Sequence, residues 1–160
     1  MILFKENNNI LYITARGHVT ARFCAQLKEF ASEHLQEGQT ITDAYLEMKD
    51  CTYMDSTFIG VIAGINKQLK KKLGKKLHIQ NVQKVCKDLF DSMSLSSLLD
   101  FMDKPVEFPV LDESNEYGNL TKPEDIIEAH ENLIELSDEN KKKFSLLNQI
   151  LNESYKKTNV

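Results

Sequence analysis

The greatest density of reactive groups in the chain lies at Asp55-Ser56-Thr57, a carboxylate followed by two hydroxyls. They stand where an apolar, strand-like run gives way to an apolar helical run. Asp55 and Ser56 are both helix-capping types, since their oxygens can accept from the orphan N–H groups of a first turn. A helix start also tolerates an added anion, because free N–H groups and the macrodipole favour negative charge there. Ser56 therefore has two readings: a cap contributing about 1 kcal/mol, or an acceptor for a phosphoryl group. Asp55 reads as a cap, or as a recognition group beside the acceptor. It could act as a base toward Ser56, but no His or Lys is placed by the sequence to complete a nucleophilic set. Thr57 reads as a first-turn residue before it reads as a second acceptor. His18, His34, His78 and His130 are dispersed and lack the spacing of metal ligands. No catalytic set, metal or cofactor is expected. Gly60 and Gly64 do not form a phosphate loop, since the Gly-Lys-Ser/Thr ending is missing.

The element that must present these groups is a helix beginning at the motif. Ile59, Ile62, Ala63, Leu69 and Leu73 recur at helical spacing, with Val61 and Ile65 widening the stripe. Gly60 and Gly64, one turn apart, cost roughly 1 kcal/mol each in helix propensity, which fits a helix passing close to another backbone. Lys70 to Lys72 lie where the macrodipole favours cations, and Gly74 is the expected C-terminal stop. Before the motif, residues 2–5 and 10–16 read as strands joined by Asn7-Asn8-Asn9, followed by a turn at 17–20. A helix capped by Thr20 then runs to about Leu35, and residues 44–48 read as a third strand. After the motif come a strand at 76–81, a helix over 82–93 whose stripe includes Val82, Val85, Cys86, Leu89, Phe90 and Met93, and a short strand at 98–102. Pro105 to Val110 continues extended.

In this context, Met54-Asp55-Ser56-Thr57-Phe58-Ile59-Gly60 resembles the core motif of STAS domains, the sulfate-transporter and anti-sigma-factor-antagonist modules. Their phosphorylatable members often read Met-Asp-Ser-Ser-Gly-Leu-Gly at this point. The Lys-rich helix end, Gly74, the strand at 76–81 and the next helix match in order, so the resemblance spans roughly residues 1–110. Thr57 and Phe58 depart from the pattern and make the surface beside Ser56 bulkier. The resemblance implies an α/β fold, a mixed sheet of four to five strands flanked by helices. It also implies phosphorylation at Ser56, supported by Asp55 and Thr57, and a partner surface of His18, Thr20, Phe58, Ile59 and Gly60. The implied partners are an anti-sigma factor or related serine kinase of the histidine-kinase-like ATPase fold, and a serine phosphatase that reverses the modification. His18 in isolation reads as an ordinary surface residue.

The remaining sequence bounds the function. The 160 residues suffice for one buried core and an appendage. Net charge −4 argues against general binding to nucleic acid or anionic membranes, and no apolar run nears the ~20 residues of a bilayer span. The N-terminus turns polar too early for a secretory signal. Cys24, Cys51 and Cys86 read as buried free thiols of a cytoplasmic protein. The expected organisation is a domain over 1–111, a polar linker over 112–122 and a helical extension over 123–160. In the extension, Thr121-Lys122-Pro123-Glu124 has capping-box spacing. One stripe joins Ile126, Ile127, His130, Leu133 and Ile134; after a Ser137 cap, another joins Phe144, Leu147, Ile150 and Leu151. Three functions compete: a non-enzymatic partner switch controlled at Ser56, a constitutive scaffold subunit of a transporter or signalling complex in which Ser56 only caps, and an enzyme, which the absent catalytic set disfavours.

Overall fold

The computed structural model describes residues 1–113 and 121–158. Among the described residues there are seven strands: β1 (Ile2–Asn7), β2 (Ile10–Ala15), β3 (Gly17–Val19), β4 (Asp43–Glu47), β5 (Cys51–Met54), β6 (His78–Gln80) and β7 (Asp100–Phe101). The helices are α1 (Cys24–Leu35), α2 (Ser56–Leu73), α3 (Lys84–Ser92), α4 (Pro123–Ile134) and α5 (Asp138–Thr158), with a 3-10 turn over Ala21–Phe23 leading into α1. Asn8 and Asn9 take positive φ in the β1–β2 hairpin, the left-handed geometry that Asn tolerates and tight hairpins need.

Five strands form a mixed sheet in the order β1-β2-β4-β6-β7, antiparallel only at β1–β2. This is the expected α/β fold with a mixed sheet flanked by helices. The region read as a turn at 17–20 contains β3, which pairs in parallel with β5 as a separate two-stranded ribbon. Three residues with one buried side chain carry no readable alternation, so β3 is formed by its partner rather than by its own pattern. His18 pairs with Tyr53 and Val19 with Met54, so the ribbon delivers the chain directly to Asp55.

Leu11, Ile13, Leu46, Met48, Ile59, Ile62, Leu77 and Ile79 are almost inaccessible to solvent at the centre of the core. Gly74 ends α2 in the left-handed conformation, its N–H donating to the Lys70 carbonyl, as the sequence requires. Other local expectations are corrected. Thr20 makes no side-chain cap; its carbonyl instead accepts from Phe23 N–H and the Cys24 thiol. The third helix starts at Lys84, and Val85 is exposed, because the one-sided contact with the sheet is made by Cys86 and Phe90.

Of the C-terminal helices, α4 lies against α2 and α5 packs on α4. Ala129, Leu133 and Phe144 belong to the same apolar cluster as the sheet. Ser137 accepts from Asn140 N–H and caps α5. Thr121 does not cap α4. Lys122 occupies that position, and its N–H is satisfied by Asp125, while the Thr121 hydroxyl binds the Ala21 carbonyl and accepts from Ala25 N–H. Leu147 and Ile150 are exposed; α5 turns Asn140, Phe144 and Asn148 inward instead. Most of the anticipated 112–122 linker, residues 114–120, lies outside the described residues.

Candidate functional site

Asp55 closes two elements at once. Its Oδ1 accepts from Phe58 N–H at 2.9 Å, capping α2, and its Oδ2 accepts from Ala21 N–H at 2.7 Å, anchoring the 3-10 turn. Its own N–H donates to the Val19 carbonyl at 3.0 Å, which ties the motif to β3. The carboxylate is thus engaged by backbone donors on both oxygens and is not aimed at Ser56 as a base.

Because Asp55 is the cap, Ser56 is the first residue of α2 and its hydroxyl is free of capping duty. Its Oγ lies 3.0 Å from His130 Nε2 on α4. The direction of this bond follows from what lies behind the imidazole. Asn148 donates through Nδ2 to the Ile127 carbonyl at 3.0 Å, so its Oδ1 faces His130 Nδ1, at 3.1 Å. Nδ1 must then carry the proton, leaving Nε2 as acceptor in the neutral ring. Ser56 therefore donates to His130, which donates to Asn148. Burial pushes the imidazole below its ordinary pKa, opposed by the Asn148 hydrogen bond and the nearby Asp55 charge. The ring is 2% exposed and stacks on Phe144, with centroids 5.0 Å apart.

The sequence places no His or Lys to complete a nucleophilic set, yet the fold brings His130 within hydrogen-bond distance of Ser56. His130 is 74 positions away and sits on an apolar stripe, where a histidine reads as core filler. A signal did exist. Asn140 and Asn148 each lie one turn from Phe144, on either side of it and on the face that α5 buries; buried amides demand partners.

Thr57 is buried at 4% exposure, as a first-turn residue facing inward. The expected partner surface is divided. His18 is exposed and Thr20 half-buried, and the His18 ring lies 5.6 Å from the exposed Tyr53 ring. Phe58 and Ile59 are inaccessible, because α2 turns them into the sheet core. Gly60 is covered by α4: a Cβ built there would lie 2.2 Å from the Ala129 carbonyl oxygen. Those three residues present no surface to a partner in this conformation. Gly60 does mark a close backbone approach, to α4, whereas Gly64 faces the Asn132 side chain rather than a backbone. Asn132 reinforces the Gly60 approach by donating to the Gly60 carbonyl at 3.2 Å. Among the described residues, no group of His, Cys, Asp and Glu could hold a metal ion, and no helix is long and apolar enough to cross a membrane.

Comparison with known proteins places this geometry in context. The family model described as Mlab, STAS domain matches residues 2–100. An anti-sigma-B factor antagonist of Bacillus subtilis (strain 168) is 30% identical over 100 residues, covering 62% of this chain and 88% of the relative. The structure is similar to the anti-sigma factor antagonist SpoIIAA in its unphosphorylated form, with TM-score 0.57, 14% identity and coverage of 65% of this chain and 90% of that one. The phosphorylated form of SpoIIAA, a Bacillus cell fate determinant, gives TM-score 0.53 at 14% identity, covering 65% and 93%.

Proposed function

The chain belongs to the STAS domain family, and from that premise we propose that it is a cytoplasmic, non-enzymatic partner-switching regulator of the anti-sigma factor antagonist kind, controlled by phosphorylation of Ser56. The observation that carries this reading is the division of labour at the start of α2. Asp55 caps the helix, so the Ser56 hydroxyl has no structural duty to the α2 backbone. A serine kept only as a cap would show the reverse. The similarity to an anti-sigma-B factor antagonist supports the same class, and SpoIIAA gives a related fold in both phosphorylation states.

In this proposal the partner is an anti-sigma factor or related serine kinase of the histidine-kinase-like ATPase fold, and a serine phosphatase restores the hydroxyl. The partner approaches along His18, Thr20 and Tyr53, beside the half-buried Asp55 and Ser56. Phosphate adds about −1.5 to −2 charges beside Asp55. Burying that anion at an interface without a cation costs several kcal/mol, and ~4 kcal/mol is a thousandfold in affinity. The test is binding of such a partner, by calorimetry, to wild type, Ser56→Ala and Ser56→Asp. Near-wild-type affinity for Ser56→Ala and weakened affinity for Ser56→Asp support the switch.

A second reading has its own observation. His130 already occupies the Ser56 hydroxyl, and α4 covers the outer side of α2. A constitutive STAS scaffold subunit of a transporter or signalling complex would also look this way. Equal partner affinity for wild type and Ser56→Asp, with no kinase acting on Ser56, selects the scaffold.

A further inference from the structure

The α4–α5 hairpin is fastened to the domain at three places. At its base, Thr121 binds the Ala21 carbonyl, and Lys28 pairs with Asp125 at 2.9 Å and with Glu128. At its middle, Ala129 sits on Gly60, Asn132 binds the Gly60 carbonyl, and His130 accepts from Ser56. At its tip, Asn140 donates to the Met93 carbonyl at 2.7 Å, and Ser94 donates to Ser137 at 2.9 Å. Only the middle attachment involves a residue of the central motif.

We infer that the hairpin is a modification-sensitive cover: phosphorylation of Ser56 breaks its middle attachment and undocks α4 from α2. This rests on the reading of Ser56 as a phosphoacceptor and adds to it what the modification does within the chain.

The geometry supplies the coupling. Phosphorylation removes the proton that Ser56 donates, so the 3.0 Å bond to a neutral Nε2 is lost by definition of the chemistry. The phosphoryl oxygens must then occupy space held by an imidazole packed between Ser56, Asn148 and Phe144. Of the groups facing the site, the Asp55 carboxylate opposes the new anion and His130 on α4 meets it uncharged, its pKa lowered chiefly by burial; the α2 N-terminus favours the anion but makes no room for it where the imidazole sits. The lysines that ion-pair across the hairpin and the domain are already engaged, Lys28 by Asp125 and Glu128, and Lys67 by Glu135 at 2.6 Å. A phosphate of about −1.5 to −2 charges thus enters a partly buried site beside a carboxylate.

The cover is also built to release as a unit. Its buried apolar side chains are few and two of its inward residues on α5, Asn140 and Asn148, are amides. A segment with little apolar burial opens at lower free energy than the core it rests on. Release uncovers the Gly60–Gly64 side of α2, so the modification changes exposed shape as well as charge.

The test uses the full chain with phosphoserine installed at position 56 during translation, so that no kinase is required. Hydrogen exchange is followed by mass spectrometry in α4–α5 and in the sheet, with unmodified protein and Gly60→Val as references. Gly60→Val forces a branched side chain against the Ala129 backbone and opens the hairpin without charge. The inference expects exchange over α4–α5 to accelerate by about tenfold or more in the phosphoprotein, in the same peptides as Gly60→Val, with β2, β4 and β6 unchanged. Hairpin protection that stays equal or increases overturns it, because His130 would then be gripping the phosphate. Loss of protection throughout the sheet overturns it as well. If undocking occurs but no serine kinase modifies the protein, the phosphoacceptor reading fails while the coupling stands.

Discussion

Substituting Gly60 by Ala isolates the docking of the hairpin from the stability of the domain. The added Cβ would lie 2.2 Å from the Ala129 oxygen, 2.5 Å from its carbonyl carbon and 2.8 Å from its Cβ. A close carbon–oxygen contact is about 3.3–3.6 Å, so α4 must retreat by about 1 Å. The obstacle is backbone, not a flexible side chain, and cannot step aside. The retreat stretches the 3.2 Å bond from Asn132 to the Gly60 carbonyl and the 3.0 Å bond between Ser56 and His130. Each contributes about 1 kcal/mol, and overpacking of this kind costs about 1–3 kcal/mol. Docking should weaken by about 2–4 kcal/mol, while α2 gains about 1 kcal/mol of helix propensity. The two effects have opposite signs and separate by location. Hydrogen exchange should speed up over α4 and α5 by about thirtyfold to several hundredfold, with β2, β4 and β6 protected as in wild type. Wild-type protection across the hairpin would refute the claim that α4 rests on Gly60.

Asn148→Leu should destabilise the hairpin by about 1–3 kcal/mol in chemical denaturation, since it leaves the buried His130 Nδ1–H and the Ile127 carbonyl without their partner; an unchanged midpoint would sink the proposed tautomer. His130 has a folded-state pKa below its unfolded value of about 6.5, so the unfolded chain binds the extra proton. Hairpin stability should therefore be full above that value and fall as the pH drops below it. His130→Gln should flatten that slope. Cys24, Cys51 and Cys86 are all inaccessible, and burial raises each thiol, Cys86 to about 12. A thiol reagent should label none of them rapidly at neutral pH in native protein, and all three in denaturant.

The sheet domain was legible because its signals are local and agree with one another. The Asn7–Asn9 turn, the α2 stripe, Gly74 and the capping types at Asp55 and Ser56 each specify their own few residues. What could not be read from those signals was settled by contacts far apart in the chain. β3 is three residues long and exists only against β5. Which of Asp55 and Ser56 caps α2 depends on the Ala21 N–H, 34 positions away, which fixes the Asp55 carboxylate in place. The buried stripe of α5 departs from its hydrophobic pattern for a physical reason: Leu147 and Ile150 outrank Asn148 in hydrophobicity, but Asn148 alone can satisfy His130 and the Ile127 carbonyl together. The same long-range contact hid the His130–Ser56 pair, and with it the burial of Gly60 that removes it from the partner surface.

The central claim is that Ser56 accepts a phosphoryl group. Its most direct measurement is the intact mass of the full chain after incubation with Mg-ATP and serine kinases of the histidine-kinase-like ATPase fold, followed by fragmentation to locate the modification. Wild type should gain one phosphoryl group, located at Ser56 and removable by a serine phosphatase, and Ser56→Ala should gain none. Addition at Thr57 or elsewhere in wild type, or undiminished addition to Ser56→Ala, would contradict it.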